Sequence, residues 1–291
     1  MANERISVII VLYFSRHLLE DILLNVKLKV RDLGEIILIN NSQENLDDFQ
    51  SENISIIYPK ENLGYGVAIN LGVKLSRYEY ILILNPDLKI EKFDVVIGDA
   101  MEKIILSGDN PAMPGYSPKF PTIFTSYIEH GLMAITYVEV IDRMLQRKKM
   151  PRNTQDVLVD YVSGALIFTN KCTFDAIGGF DDSFFLFYEE TDFCKRAEQL
   201  RIPVMVTSRI AYTTKAGKSS SINVNDIKVK AGINSCRRYH TKYDGPFLTK
   251  CFFAILKLQY AILIVLIGPF SLVSQKLRDK RKGFIFRMQL F

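Results

Sequence analysis

The feature that most constrains this chain is a regular alternation of apolar runs and helical segments between residues 6 and 87. The runs ISVIIVLY and EIILIN are continuous and rich in β-branched residues, which is typical of strands buried on both faces. Between the runs, apolar residues recur at helical spacing, with Ser15 placed to cap one helix and Asn62 opening the next. This alternation predicts right-handed crossovers and a mostly parallel α/β sheet.

Ligands of such sheets bind beyond the carboxyl ends of the strands, which singles out Tyr13, Asn40 to Ser42, Tyr58 to Asn62 and Asn85 to Asp87. Asp87 follows an apolar strand, so its carboxylate could hold a divalent cation against a diphosphate. Capping of the next turn is the alternative role for Asp87. The stretch NLGYGVAINLG places glycines at a helix start, which suits a diphosphate, although its spacing is not GxGxxG.

Beyond residue 90 the pattern is less regular. In GGFDDSFFLFYEETDFCKR, two acidic clusters flank a run of aromatic residues, although carboxylates are costly to bury and aromatics costly to expose. Within this stretch Asp192 and Arg196 stand at i, i+4 and are expected to pair. The other predicted elements are helices near 92–107, over 128–149, in NKCTFDAIGG and in YEETDFCKRAEQL, and strands in VDYVSGALIFTN and IPVMVTS.

The C-terminal segment differs in kind. Residues Phe252 to Val273 are strongly apolar but contain Lys257 and a Gly-Pro pair, and a basic run follows them. This pattern favours a helix lying in a membrane interface with anionic lipid over a clean transmembrane helix. A core-covering or oligomer-forming helix pair is the alternative. The net charge is +5, but no nucleic-acid module accompanies it, so no nucleic-acid partner is expected.

The motifs VIIVLYFS, INNS, ENLGYGVAINLG, ILILNPD, VSGALIF and GGFDDSFFLFYEETDFCKR occur in one order. Together they resemble glycosyltransferase family 2, especially its bacterial rhamnosyltransferase-like branch, over about residues 6–220. The resemblance implies a GT-A (Rossmann-like) α/β fold, a mostly parallel sheet flanked by helices, with C-terminal membrane-associated helices. It implies a domain over residues 1–245, with a nucleotide-sugar half (1–90) and an acceptor half (91–245), and a helical segment over 246–291.

The activity implied by the resemblance is transfer of a sugar with inversion, assisted by Mg²⁺ or Mn²⁺. The implied donor is a nucleoside-diphosphate sugar, with dTDP-rhamnose as the best candidate, and the implied acceptor is a polyprenyl-diphosphate-linked glycan of bacterial surface polysaccharide synthesis. The implied location is cytoplasmic, peripheral on the inner face of the bacterial cell membrane. A catalytically weak sugar-nucleotide or glycan-binding subunit is the main alternative, followed by a nucleotidyltransferase.

Carried over by position, the resemblance makes Glu190 the catalytic base and Asp87 the metal ligand. Glu189 and Asp192 would support Glu190 in catalysis. The donor would be bound by Tyr13, Asn40, Asn62, Gly64, Asn70, Asp87 and, as a hypothesis, Lys218, and the acceptor by Gly164, Ala165, Phe184 and Tyr188.

Three positions depart from the family pattern. Asn40 replaces an Asp that would contact the base, and Glu190 replaces an Asp with a carboxylate on a longer side chain. Thr214 stands where the family has a metal-ligating His, and threonine is a poor ligand for transition metals. The resemblance therefore leaves Asp87 and the diphosphate to hold the metal, or Lys215 or Lys218 to supply positive charge.

Overall fold

The computed structural model describes residues 5–95, 97, 105–109, 119–127, 156–214, 225–269, 271 and 274–291. Contacts divide the chain into two compact units. The first contains Met1–Phe120, Gln146–Phe185 and Glu189–Asn223, and the second contains Pro121–Leu145, Leu186–Tyr188 and Val224–Phe291. The domain boundary after residue 245 stays a prediction.

Among the described residues, the first unit contains one sheet of nine strands. Eight strands follow the order β3-β2-β1-β4-β8-β6-β9-β5, and the ninth, β7, pairs with β9. Its strands are β1 Ile6–Leu12, β2 Leu33–Asn40, β3 Ile54–Ile57, β4 Tyr80–Leu84, β5 Leu88–Phe93, β6 Ile105–Asp109, β7 Asp156–Leu158, β8 Leu166–Asn170 and β9 Val204–Thr214.

The four strands β1 to β4 form the predicted parallel half. Strand β1 pairs in parallel with both β2 and β4, and β2 pairs in parallel with β3. All seven residues of β1 are buried, as expected for a strand covered on both faces. Helices α1 (Leu19–Lys29) and α2 (Tyr65–Leu75) connect these strands. Ser15 does not cap α1, because its hydroxyl donates to the Tyr13 carbonyl instead.

The second half of the sheet is mixed rather than mostly parallel. Strand β8 is antiparallel to β4 and β6, and β9 is parallel to β6 but antiparallel to β5 and β7. The predicted helix near 92–107 is wrong at both ends, which lie in β5 and β6. In β5 the buried Leu88 and Ile90 alternate with the exposed Lys89 and Glu91, which is the period of a strand.

Two short helices frame the acidic segment of the first unit. Helix α4 (Lys171–Ile177) ends at Gly178, which has a φ of +88° and is in the left-handed conformation, as predicted. Helix α5 (Glu189–Gln199) contains the predicted Asp192–Arg196 ion pair, with Nε 2.8 Å from Oδ2. The same guanidinium donates to the carbonyls of Ile177 and Gly179 at 2.5 and 2.6 Å, so it fixes the turn after α4.

The second unit is helical. Its helices are α3 (Ile123–Tyr127), α6 (Asn225–Tyr243), α7 (Pro246–Ile267) and α8 (Gln275–Leu290). Its core includes Phe252, Phe253 and Leu256, and a fully buried His240 contacts Ser126 at 2.8 Å and Asp244 at 2.6 Å. Among the described residues, α7 is the one helix long and apolar enough to cross a membrane, judged by length and composition. The predicted helix over 128–149 lies outside the described residues.

Candidate active site

The carboxyl ends of the parallel strands meet at one edge of the sheet, as the sequence predicts. Leu12 at the end of β1 pairs with Asn40 at the end of β2, and the Asn41 amide donates to the Leu12 carbonyl at 2.8 Å. Tyr13 follows directly and is half-buried. The turn that carries Asp87 follows β4, the other neighbour of β1. The structure therefore brings Tyr13, Asn40 and Asp87 to the same edge.

Asn40 is fully buried, and both ends of its amide are used by the loop that follows it. Its Nδ2 donates to the Glu44 carbonyl at 2.6 Å, and its Oδ1 accepts from the Ser42 hydroxyl at 2.9 Å. Asn40 thus shapes the loop at the end of β2, and its predicted contact with the donor base stays a prediction.

The turn before α2 is fixed by backbone contacts. Asn62 Oδ1 accepts from the Gly64 amide at 3.0 Å, and Asn41 Nδ2 donates to the Gly64 carbonyl at 2.9 Å. Gly64 has a φ of +77°, and a Cβ there would lie 2.3 Å from the Phe185 carbonyl oxygen. Glycine is therefore required at 64, because any side chain would clash and would be strained.

Asn70 holds the acidic segment to α2. Its Nδ2 donates to the Phe180 carbonyl at 2.8 Å and to Asp182 at 2.9 Å, and its Oδ1 accepts from the Phe180 amide at 2.9 Å. Asn70 was predicted to shape the donor pocket. In the structure it fixes the GGFDD turn, so any effect on a donor passes through that turn.

Glu190 lies against the backbone of Gly164. The Gly164 amide donates to the Glu190 carboxylate, and a Cβ on Gly164 would lie 3.6 Å from the Glu190 Cδ. The Tyr65 hydroxyl donates to the Gly164 carbonyl at 2.7 Å. Sequence reasoning missed Tyr65, whose one signal was its place at the first position of the helix in NLGYG. Three segments distant in sequence therefore meet at Gly164.

Of the two glutamates at the start of α5, Glu189 is buried and Glu190 is half-buried, and each has a carboxylate oxygen that is shielded from solvent. Within the part of the chain that the structure describes, the Oε2 atoms of Glu189 and Glu190 have no hydrogen-bond partner. Burial raises the pKa of Glu190, and the Gly164 amide opposes this rise. The pKa of Glu189 lies well above its usual value because of burial and the charge of Glu190. The Gly164 amide favours the ionised form of Glu190, which is the form that a general base requires.

Asp87 belongs to the same acidic neighbourhood. The pKa of the Tyr65 phenol is raised well above its usual value, first by burial and then by the charges of Glu189, Glu190 and Asp87. The charges of these three carboxylates therefore all oppose ionisation of the Tyr65 phenol. Asp192 is separate from them, because it is fully buried against Arg196.

The residues near Asp87 fit a hard divalent cation with few protein ligands. No group of three or more His, Cys, Asp or Glu residues that could hold a metal is found among the described residues. Thr214 pairs with Leu88 across β5 and β9, so it does lie beside Asp87, but its side chain offers no imidazole. One carboxylate together with diphosphate oxygens and water is a common set of ligands for Mg²⁺, and carboxylate oxygens also suit Mn²⁺.

The aromatic residues of the acidic segment differ in burial, and not in the way the predicted acceptor contacts require. Phe184, predicted to contact the acceptor, is fully buried with 0% exposure, so it packs in the core because an apolar ring gains most there. Phe185 instead is 42% exposed. Tyr188 belongs to the second unit, where its ring lies 5.3 Å from that of Tyr239. Ala165 accepts from the Asn85 amide at 2.9 Å, and Lys218 lies outside the described residues.

Known structures share this arrangement. GalNAc-T7, crystallised with UDP, GalNAc and Mn²⁺, has a TM-score of 0.55 and 11% identity, covering 80% of this chain and 47% of its own. Mannosyltransferase PcManGT from Pyrobaculum calidifontis, in complex with GDP-Man and Mn²⁺, has a TM-score of 0.51 and 11% identity. The match covers 98% of this chain and 85% of the mannosyltransferase chain. This is the GT-A glycosyltransferase fold. The GT-A prediction is thereby confirmed.

Sequence comparisons agree with the GT-A fold. Residues 7–95, which hold the parallel strands and the turn with Asp87, match the family model described as Glycosyl transferase family 2. The low-salt glycan biosynthesis hexosyltransferase Agl10 of Haloferax volcanii is 27% identical over 217 residues, which is 69% of this chain. The chain spans 64% of the length of that relative.

Proposed function

We propose that this protein is an inverting, metal-assisted hexosyltransferase that uses a nucleoside-diphosphate sugar, with Glu190 as its general base. The observation that carries the proposal is the Glu190 carboxylate, which is oriented by the Gly164 amide and has one buried oxygen without a hydrogen-bond partner among the described residues. A buried acceptor atom without a partner is costly in a folded protein, and such groups cluster at functional sites. The hydroxyl of a sugar acceptor would supply the missing hydrogen bond.

The reaction follows from this geometry. The Glu190 carboxylate takes the proton of the acceptor hydroxyl while that oxygen forms a bond to the anomeric carbon of the donor. The bond between the anomeric carbon and the diphosphate oxygen breaks, and the nucleoside diphosphate leaves with the electron pair. Attack from the face opposite the leaving group inverts the anomeric configuration. The raised pKa of Glu190 brings it closer to the operating pH, as an efficient base requires.

Asp87 would hold the cation in this proposal. Mg²⁺ or Mn²⁺ bound there would neutralise charge on the leaving diphosphate. The chain contributes one carboxylate at the sheet edge, in a turn whose Asn85 amide donates to the Ala165 carbonyl and whose Leu88 amide donates to the Asn85 carbonyl.

The donor and acceptor are further parts of the proposal. We propose dTDP-rhamnose as the first donor to test and a polyprenyl-diphosphate-linked glycan as the acceptor. The name of the Haloferax volcanii relative, a glycan biosynthesis hexosyltransferase, supports a glycan acceptor, and the two structural neighbours were crystallised with UDP or GDP-Man. Hexose nucleotides therefore belong in the same donor panel.

The test is an assay of the full chain with Mn²⁺ or Mg²⁺, a panel of nucleotide sugars and a polyprenyl-diphosphate sugar. We expect turnover with one donor and a loss of about 10²–10⁴-fold in kcat for Glu190→Gln, because general base catalysis contributes this much. Asp192→Asn serves as the comparison variant, since Asp192 lies at the same helix start but is bonded to Arg196. Absence of turnover with every donor, or full activity of Glu190→Gln, would overturn the proposal.

A sugar-nucleotide or glycan-binding subunit with weak catalysis is the second candidate. Thr214 favours it, because this residue occupies the strand position opposite Leu88 where the resemblance expects a metal-ligating histidine. The candidates differ in a calorimetric titration followed by product analysis. Binding of a donor without transfer or hydrolysis would favour the subunit, and Thr214→His would then be expected to raise metal affinity.

A further inference from the structure

One face of α7 is apolar and exposed to solvent. Val265 is 73% exposed and Leu258 is 64% exposed, although both side chains gain free energy by leaving water. Ile255, Ile262 and Leu266 are also more than half exposed. These residues recur at intervals of three and four, so they form one continuous stripe along the helix. A stripe of this size on a soluble surface indicates a binding surface.

The opposite face of α7 is already covered by its own unit. Phe252, Phe253, Leu256 and Tyr260 are buried there. The Tyr260 ring lies 5.3 Å from Phe284 of α8, and Phe253 lies 5.9 Å from Phe291. Helix α7 therefore has two apolar faces, one for its own unit and one that faces solvent.

Positive charge borders the exposed stripe. Lys250 and Lys257 stand about two helical turns apart, so they lie on the same side of α7, and both are exposed. An apolar stripe bordered by lysines is complementary to a lipid surface that carries negative charge.

The packing of α7 argues against a spanning orientation. Helices α6 and α8 pack with α7, and both carry several Lys and Arg residues along their length. If α7 crossed a bilayer, these partners would follow it and bring charged side chains into hydrocarbon, at a cost of about 2.5–3.5 kcal/mol for each central charge. A helix that lies flat needs to bury only the exposed stripe.

We infer that the exposed stripe of α7, with Lys250 and Lys257 of the same helix, docks the protein on an anionic membrane surface, with α7 parallel to the bilayer plane. The stripe inserts at the boundary between head groups and acyl chains, and the lysines remain at head-group level. This inference does not depend on the proposed catalytic role of Glu190. It assigns the peripheral membrane location expected from the sequence to one helix face.

The test is sedimentation of the full chain with vesicles of phosphatidylcholine, with and without phosphatidylglycerol. We expect binding to the anionic vesicles that weakens with salt. The variant Leu258→Asp with Val265→Asp should bind at least about 10-fold more weakly, because each side chain loses roughly 1.5–3 kcal/mol of burial. The matched control is Leu28→Asp, which alters a leucine of α1 that is 72% exposed, and its binding should be unchanged. Lys250→Glu with Lys257→Glu should weaken binding to anionic vesicles only.

Three outcomes would overturn the inference. Protein that stays in membranes after alkaline carbonate extraction would indicate a spanning helix. A dimer in solution that the Leu258→Asp, Val265→Asp variant converts to monomer, without vesicle binding, would assign the stripe to a second copy. Equal vesicle binding by the stripe variant and Leu28→Asp would place the contact elsewhere. Because no donor is present, a failed transferase assay leaves the vesicle result unaffected.

Discussion

Three asparagines of the first unit and the two glutamates at the start of α5 are all buried or half-buried polar residues, but their hydrogen bonding differs. Asn40, Asn41 and Asn70 each donate and accept hydrogen bonds within the first unit. Glu189 and Glu190 each leave one oxygen without a hydrogen-bond partner in the described part of the chain. Satisfied groups stabilise the loops that contain them, whereas unsatisfied carboxylates lower stability and gain partners only when a ligand binds.

The same difference in hydrogen bonding is found among the three acidic residues in the first turn of α5. Asp192, three residues after Glu189, is fully buried and paired with Arg196, while each glutamate has one oxygen without a hydrogen-bond partner among the described residues. Acidic residues at this helix start are favoured by the helix dipole in both cases. Carboxylates in one helical turn can therefore have different roles, and the hydrogen bonds and ion pairs of each carboxylate indicate which role it has. Variants that affect the paired carboxylate and variants that affect the glutamates test this conclusion.

The largest expected effect is the loss of the paired carboxylate's partner. Arg196→Ala should lower the free energy of unfolding by about 3 kcal/mol, because it leaves Asp192 buried and uncompensated. Urea denaturation measures the change. The control is Lys89→Ala, which breaks the exposed Lys89–Glu91 pair and should cost no more than about 1 kcal/mol. Equal losses in the two variants would show that Asp192 is not the stabilising member of its turn.

An intermediate effect is expected at Glu189. Its folded pKa is raised, so its contribution to stability is complete below about pH 4.3 and is lost as pH rises through the raised value. Glu189→Gln should therefore flatten the decline in stability above that pH and stabilise the protein at pH 7. Thermal melts between pH 4 and 8 measure this, with the exposed Glu61→Gln as control. A steeper decline in the Glu189→Gln variant would contradict the prediction.

The smallest expected effect concerns Tyr65, and it depends on the proposed function. Tyr65→Phe removes the bond to the Gly164 carbonyl and loosens the peptide whose amide opposes the rise in the Glu190 pKa. We expect kcat to fall by up to about 10-fold. The acid limb of the pH–kcat profile should move to higher pH. Tyr58→Phe is the control, because its hydroxyl bonds Leu46 and Asp47 instead. If the acid limb of the Tyr65→Phe profile does not move, the Tyr65 hydroxyl has no effect on the Glu190 pKa, and Tyr65 contributes only packing.

The parallel half of the fold could be read from the sequence because its strands are continuous apolar runs. The runs that form β1, β2 and β4 are buried on both faces, which few other structures allow. The helix predicted near 92–107 was wrong because β5 and β6 are short strands. Strand β5 is also half-exposed, and it pairs with β9, which is far along the chain. Pairing partners of that kind are not encoded locally.

The site was predictable only in part. The resemblance made Glu190 the base and Asp87 the metal ligand, and both roles stay predictions. Tyr65 itself could not be found, because its role depends on Gly164, which the pairing of β4 with β8 brings near. The burial of Phe184 next to the exposed Phe185 was equally hidden, since two adjacent rings have the same local pattern.

The pairing of Leu88 with Thr214 has a consequence for the order in which this protein assembles. The turn with Asp87 is completed only when β5, near the end of the first family-like segment, meets β9, which is synthesised much later. Closing so long a loop is slow compared with forming neighbouring elements. A growing chain that has already folded β1 to β4 therefore holds the sheet edge but not the finished turn. We expect the ability to bind metal and diphosphate to be acquired last, after residue 214 has left the ribosome.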